Sequence, residues 1–272
     1  MSNIKLIALD MDGTAYATLG NYVKENIEPI NQAIKIGKKV VFVTGRPVHA
    51  EVNKFEVYEF DKDEAIIAGF NGALIFDIKN DRIIDQKPIP KELVTKVFEV
   101  TRDPKFAQVE VWGYSTNFDV AFVNMDVENT FGLKHETAFF HGRLEIVDQN
   151  SKLTDCFKFI VSNVDQEYID LLKELGLEVA WHPGSMHAEV NIKGINKKYA
   201  LEFLKDYYSL EIENILAMGD GANDIPMLDY AGLSIAPANA NDTVKAHAKI
   251  VMRETNIEGA VARALYKYVL GE

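Results

Sequence analysis

The chain has 272 residues, enough for a large core and close to the size at which one core splits into two. With 47% hydrophobic and 26% charged residues it falls outside the disordered and fibrous classes, and a formal net charge of -12 with no basic stripe in the sequence argues against nucleic-acid binding. Cys156 is the only cysteine, no apolar run reaches the ~18 residues of a membrane span, and the first apolar run is too short for a signal peptide, so a cytoplasmic protein with no membrane partner is the expectation.

The first predicted element is a strand in the stretch Ile4 to Leu9, of which Leu6, Ile7, Ala8 and Leu9 are apolar without alternation, as in a strand buried on both faces of a parallel sheet. It runs straight into Asp10-Met11-Asp12-Gly13-Thr14. In open α/β sheets ligands bind beyond the carboxyl ends of strands, so both acids are delivered to that rim, and Gly13 lets the chain turn. Val23, Ile27, Ile30 and Ile34 recur at helical spacing, with Gly37 placed to stop the helix. A second buried strand, Val40 to Val43, ends in Thr44-Gly45-Arg46, and Pro47 predicts the start of a helix. Ala65 to Ala68 ends in Gly69-Phe70-Asn71-Gly72, and Ala73 to Phe76 lies close enough to close a hairpin with it.

From Lys79 the texture changes. Asn80-Asp81 marks a turn, Pro88 and Pro90 break the chain, helices are predicted at Glu92 to Val100 and Gln166 to Leu175, and half-exposed strands at Gln108 to Tyr114, Asp119 to Asn124 and Glu178 to Trp181. The expected organisation is a Rossmann-like, doubly wound parallel α/β core made of residues 1–79 and 187–272, with an α+β cap domain inserted at 80–186. The core pattern resumes with a helix at Lys197 to Tyr208 capped by Asn196, and a strand at Ile215 to Met218 that ends in Gly219-Asp220-Gly221-Ala222-Asn223-Asp224. A helix at Ile225 to Tyr230, a strand at Leu233 to Ala236 and a closing helix at Ile257 to Val269 complete the reading.

Asp10, Asp12, Asp220 and Asp224 therefore sit at or just after strand ends, where a parallel sheet brings distant segments to one rim. Two carboxylates about 4 Å apart repel by roughly 4 kcal/mol at an effective dielectric of ~20. Mg²⁺ would relieve that repulsion, because it prefers carboxylate oxygens and is completed by water and substrate phosphate. His182 and His187 are not in a zinc spacing, and Lys197 and Arg46 are the protein cations available to an anionic substrate.

These four segments, Asp10 to Thr14, Thr44-Gly45-Arg46, Lys197 with its flanking residues and Gly219 to Asp224, resemble the four ordered motifs of the haloacid dehalogenase superfamily. The insert and the Asn71-Gly72 pair look like its Cof-type phosphatases with the larger α/β (C2-type) cap. That resemblance implies a Mg²⁺-dependent phosphatase of small phosphorylated metabolites, sugar phosphates or similar, working through an aspartyl-phosphate. By the same match Asp10 is the nucleophile and Asp12 the general acid and base, contributing only its backbone carbonyl to the metal. Asp10 and Asp220 bind the ion directly, with Asn223 or Asp224 completing or supporting the shell. Thr44 and Gly45 hold the phosphoryl oxygens, Lys197 neutralises them, Asn71 and Gly72 face the substrate, and Arg46 either reaches the substrate or forms a structural ion pair. The insert is implied to act as a lid that reads the leaving group.

Two departures stand out: Lys198 replaces the glycine usual after the motif lysine, and Ala15-Tyr16-Ala17 replaces aliphatic residues. Competing readings are a phosphotransferase or phosphohexomutase on the same scaffold and a non-catalytic regulatory or binding module. A dinucleotide site is weaker, since Asp224 stands where a third glycine belongs. A monomer needs no extra assumption.

Overall fold

Strands built from the early and late apolar runs pair edge to edge. The computed structural model describes residues 3–18, 20–60 and 64–271. In the first part of the chain lie β1 (Leu6–Leu9), β2 (Tyr16–Thr18), β3 (Asn21–Tyr22), α1 (Lys24–Lys35), β4 (Lys39–Val43), β5 (Ile66–Gly69), β6 (Leu74–Asp77) and β7 (Arg82–Gln86). The middle carries α2 (Lys91–Val100), β8 (Glu110–Ser115), β9 (Val120–Val123), α3 (Phe131–Glu136), β10 (Arg143–Ile146), β11 (Cys156–Ser162), α4 (Gln166–Glu174), β12 (Leu177–Ala180) and β13 (His187–Ile192). The last part has α5 (Lys197–Tyr207), β14 (Ile215–Met218), α6 (Ile225–Tyr230), β15 (Leu233–Ala236), α7 (Asp242–His247), β16 (Ile250–Val251) and α8 (Ala260–Leu265).

The first unit, Met1–Asp85 with Asn196–Glu272, holds an eight-stranded sheet in the order β16-β15-β14-β1-β4-β5-β6-β7. From β16 to β5 every pairing is parallel, and β5 and β6 form an antiparallel hairpin. β1 is fully buried at the centre because helices cover both faces, which explains its run of apolar residues without alternation. On one face Leu6, Ala8, Val41, Val43 and Ala217 pack with Leu201 and Leu204 of α5 and with Met227 and Leu228 of α6.

The second unit, Gln86–Ile195, is built on a six-stranded sheet in the order β10-β9-β8-β11-β13-β12. Its limits differ from the expected 80–186, because β7 belongs to the first unit's sheet and β13 joins β11 and β12 in the second. Pairing, which composition does not display, decides both edges. Strand β8 is buried throughout, against the expected half-exposure, and so is β11, a strand not predicted from the sequence. One face packs on Val94, Val97 and Phe98 of α2 and Tyr168, Ile169 and Leu172 of α4. The other carries aromatic contacts of its own, with Trp112 and Tyr114 against Phe140 and Phe157 stacked on Phe118.

Two predicted helices change form. The segment after Pro47 is a turn followed by short 3-10 turns at Glu51–Asn53 and Phe55–Val57, separated by Lys54 in the left-handed region. The Asn53 side chain donates to the carbonyls of Pro47 (2.8 Å) and Val48 (3.3 Å), supplying bonds a regular helix would have made. Phe55, Tyr58 and Phe60 then cluster on Phe42, and that packing favours the irregular path. The closing helix is broken into a 3-10 turn (Asn256–Glu258), α8 and a π-helical turn (Tyr266–Leu270), with Gly259 at φ +80° ending the first piece.

Candidate active site

Register brings the motif residues together. Leu9 pairs with Met218 on one side and Phe42 on the other, so Asp10, Gly219 and Val43 follow at one level, with Thr44 and Asp220 one residue beyond. Asn196 caps α5 by accepting from the Lys198 amide at 3.0 Å, and this places Lys197 in the first turn with its side chain turned inward. Lys197 is fully buried, whereas Lys198 is exposed and pairs with Glu202. The lysine of the motif is thus identified by burial.

The Lys197 ammonium donates to Asp10 Oδ1 at 2.5 Å and to Asp224 Oδ1 at 2.6 Å. Burial pushes the lysine's pKa down, but the charges of Asp10 and Asp224 outweigh it and hold Lys197 above its usual value. Asp10 is raised well above the carboxylate range by burial and by Asp224, with Lys197 opposing and Asp220 adding to the rise. Asp220 is pushed up to about 6, mainly by burial, with the Thr14 hydrogen bond opposing and Asp224 adding. Thr14 Oγ1 donates to Asp220 Oδ1 at 2.7 Å. The protein alone leaves these acids under-compensated.

Oxygens of Asp10, Asp220 and Asp224 lie within 4.8 Å of one another, a spacing and an all-oxygen donor set that fit a hard divalent cation. Asp224 has both oxygens engaged: Oδ1 with Lys197, Oδ2 with the amides of Asp220 (2.9 Å) and Gly221 (2.8 Å). Its place is to support Lys197 and the loop, while Asp10 and Asp220 retain lone pairs for an ion. Asn223 turns elsewhere, donating to Asn71 Oδ1 at 3.3 Å.

Gly13 sits at φ +78°, and a Cβ there would collide with the Asp220 carboxylate. The close approach of the two acidic loops requires glycine. Beside it, Asp12 is paired with Arg46 through two parallel contacts, Nε to Oδ2 at 2.6 Å and Nη2 to Oδ1. Arg46 is buried, lies 5.7 Å from the centre of the Tyr16 ring and donates to Val52 O and Asn53 Oδ1, both at 3.4 Å. Between the expected substrate contact and a structural ion pair, the structure shows the ion pair, and it falls on Asp12.

Thr44 is buried with its hydroxyl accepting from the Arg46 amide at 3.1 Å, and its carbonyl accepts from Asn71 N at 2.9 Å. Phe70 (φ 50°), Asn71 (φ 60°) and Gly72 (φ 95°) are three successive left-handed residues. For Phe70 and Asn71 that conformation costs on the order of 1–3 kcal/mol each, and it turns the Asn71 side chain toward Asn223. Gly72 is buried against the start of α5, where a Cβ would lie 3.1 Å from the Asn196 carbonyl. His182 and His187 are exposed and far in sequence from this set, in the second unit.

Sequence reasoning missed two residues that hold the first loop. Asn239 Nδ2 donates to the Gly13 carbonyl at 2.8 Å, and Asn256 Nδ2 to the Tyr16 carbonyl at 2.9 Å. Asn239 Oδ1 also accepts from the Asn256 amide at 2.8 Å. The local signal for Asn239 is the turn chemistry around Pro237 to Asn241, and Asn256 has only its place after the Thr255 cap.

The profile of the haloacid dehalogenase-like hydrolases matches residues 7–265, and the chain belongs to that family. The chain is 30% identical over 271 residues to the 5-amino-6-(5-phospho-D-ribitylamino)uracil phosphatase YcsE of Bacillus subtilis, covering 98% of this chain and 97% of that protein. It is 25% identical to the pyridoxal phosphate phosphatase YbhA of Escherichia coli, over 98% and 99% of the two chains. Among solved structures, the phosphatase BT1666 of Bacteroides thetaiotaomicron superposes with a TM-score of 0.78 at 27% identity (97% and 95% covered). The SMU.1108c protein of Streptococcus mutans superposes at 0.83 with 22% identity (98% and 100% covered), a likeness of fold. The chain is a Cof-type phosphatase, a hydrolase of phosphate monoesters on a Rossmann-like α/β core. No helix among the described residues is long and apolar enough to cross a membrane.

Proposed function

We propose that this protein hydrolyses small phosphorylated metabolites through a phosphorylated Asp10, with Mg²⁺ held by the Asp10 and Asp220 carboxylates and the Asp12 carbonyl. The observation that carries the reading is the Lys197 ammonium shared between Asp10 and Asp224, next to an Asp220 left without a cation of its own. A divalent ion bound there supplies charge neutralisation for the acids and for the incoming phosphate.

The chain's own groups then have separable tasks. Asp10 Oδ2, the oxygen not held by Lys197, attacks phosphorus in line while the P–O bond to the leaving group breaks. Lys197 keeps Asp10 oriented and meets the charge that builds on the phosphoryl oxygens. Thr44, whose oxygen accepts from the Arg46 amide, has its proton available to a phosphoryl oxygen, and the Gly45 amide lies next to it. Asp12, exposed at its carboxylate and steered by Arg46, gives its proton to the leaving oxygen and then removes one from the water that cleaves the Asp10–phosphate bond. Asn71 and Asn223 form a polar pair beside Thr44 that suits a substrate hydroxyl.

The relatives named for phosphates of a ribitylaminouracil and of pyridoxal support a small phosphomonoester as substrate. The test is release of phosphate from p-nitrophenyl phosphate and from those two compounds. Activity should require Mg²⁺, vanish with EDTA and fall by about 10⁴-fold or more in Asp10→Asn. Activity that survives either change would defeat the proposal. Transfer to an added sugar in place of phosphate release would identify a phosphotransferase instead.

A further inference from the structure

Beyond β16 the eight-stranded sheet stops, and the edge is flanked by a groove of about 650 Å³. One wall is the chain from Ile250 to Glu254, and the other is Arg263 with the π-helical turn at Tyr266, Lys267 and Tyr268. None of the active-site residues lines it. It lies three strands from β1, about 14 Å away at ~4.8 Å per interstrand step.

Its charge is out of character with the molecule. The chain as a whole is at -12, yet this groove gathers Arg253, Arg263 and Lys267 against the single acid Glu254. Among the described residues none of those three cations has an ion-pair partner, whereas Arg46, Lys197, Lys158 and Lys105 are all paired. All three are exposed, so solvent screens their mutual repulsion, and an anion seated among them would meet three positive charges and one negative. Arg263 and Lys267 stand four residues apart on one helical face, so their charges project side by side. The π turn widens the helix at this place, a distortion that costs helix geometry and is frequent at functional sites. Its volume lies in the range of small-ligand sites.

We propose that this groove is a second binding site, for a small ligand of the diphosphate class, whose two anionic groups are shared by Arg253, Arg263 and Lys267. Guanidinium groups match the paired oxygens of phosphate, and Lys267 adds a point charge. Tyr266 and Tyr268 supply the ring walls. The site differs from the active site in needing no metal.

The test is calorimetric titration of the full-length protein with methylenediphosphonate, a non-hydrolysable diphosphate, in EDTA and low salt. Without a metal the Asp10 cluster repels the probe, so the groove is read alone. One site per chain is expected, unchanged in Asp10→Asn and weakened about tenfold or more in the triple variant Arg253→Ser, Arg263→Ser, Lys267→Ser. That triple variant should keep its Mg²⁺-dependent kcat/KM on p-nitrophenyl phosphate. Should its thermal unfolding show a damaged fold, Lys267→Gln alone, at an exposed position, gives the same reading at about threefold. Absence of binding at millimolar probe, or equal binding by wild type and Lys267→Gln, would overturn the proposal.

Discussion

At the scale of single residues the site is defined by what each side chain already holds. Gly13→Ala tests the tightest approach: its Cβ would displace Asp220, and its positive φ adds about 1 kcal/mol of backbone cost. Mg²⁺ affinity measured by titration should fall about tenfold or more, with the fold retained by circular dichroism. Arg46→Lys keeps the charge but loses the planar fork on Asp12. We expect kcat to drop about tenfold, since acid–base geometry suffers, with Mg²⁺ affinity unchanged. The acids were legible because each sits at or just after the end of an apolar run, whereas Thr44 and Lys197 stood out only through the family resemblance, since a turn before a helix and a first-turn lysine are ordinary local features. The grip of Arg46 on Asp12 was not, because it depends on Tyr16 and Asn53 arriving from separate segments to enclose the guanidinium. Nor did spacing distinguish Asp224, engaged at both oxygens, from Asp220.

Among elements, the β5–β6 hairpin and its exit turn offer a clean measure of local stability. Asp77, buried at the end of β6, accepts from the amides of Ala65 (3.1 Å), Lys79 (3.2 Å) and Asn80 (3.3 Å) and from the Asn80 side chain (2.6 Å). Burial pushes its carboxyl up, but the Asn80 side chain and those amides outweigh it and hold the pKa below 3.8. A folded value below the unfolded one means stability present above the unfolded pKa and lost as pH falls through the folded one. Urea unfolding of Asp77→Ala at pH 7 should show a loss of about 1–3 kcal/mol from the stranded donors. Acid titration of wild type against Asp77→Ala should show that difference shrinking below pH 4. Strands 6–9, 40–43 and 215–218 were legible from uninterrupted apolar runs, and 233–236 from a short stretch broken only by Ser234. The segments after Pro47 and Ile257 were not, since aromatic packing on Phe42 and the left-handed Gly259 override helical patterns.

For the molecule as a whole, the proposed metal site makes folding and ion binding testable together. Any ion that binds the folded chain alone raises the unfolding temperature by mass action. A thermal scan should show the midpoint rising with Mg²⁺ from micromolar to millimolar and the rise abolished in Asp220→Asn. The division into two units was visible as a change of texture, but its borders were not. β7 and β13 resemble their neighbours in composition and are assigned by the strands they pair with, β6 for the first and β11 and β12 for the second.

The carbonyls of Gly13 and Tyr16 are gripped by Asn239 and Asn256, and Asp10 by Lys197. A ribosome therefore makes Asp10 roughly two hundred residues before the side chains that hold it and its loop. A nascent chain carries that aspartate long before it carries the groups that set its position. A stalled chain ending short of Asn256 should release no phosphate from p-nitrophenyl phosphate.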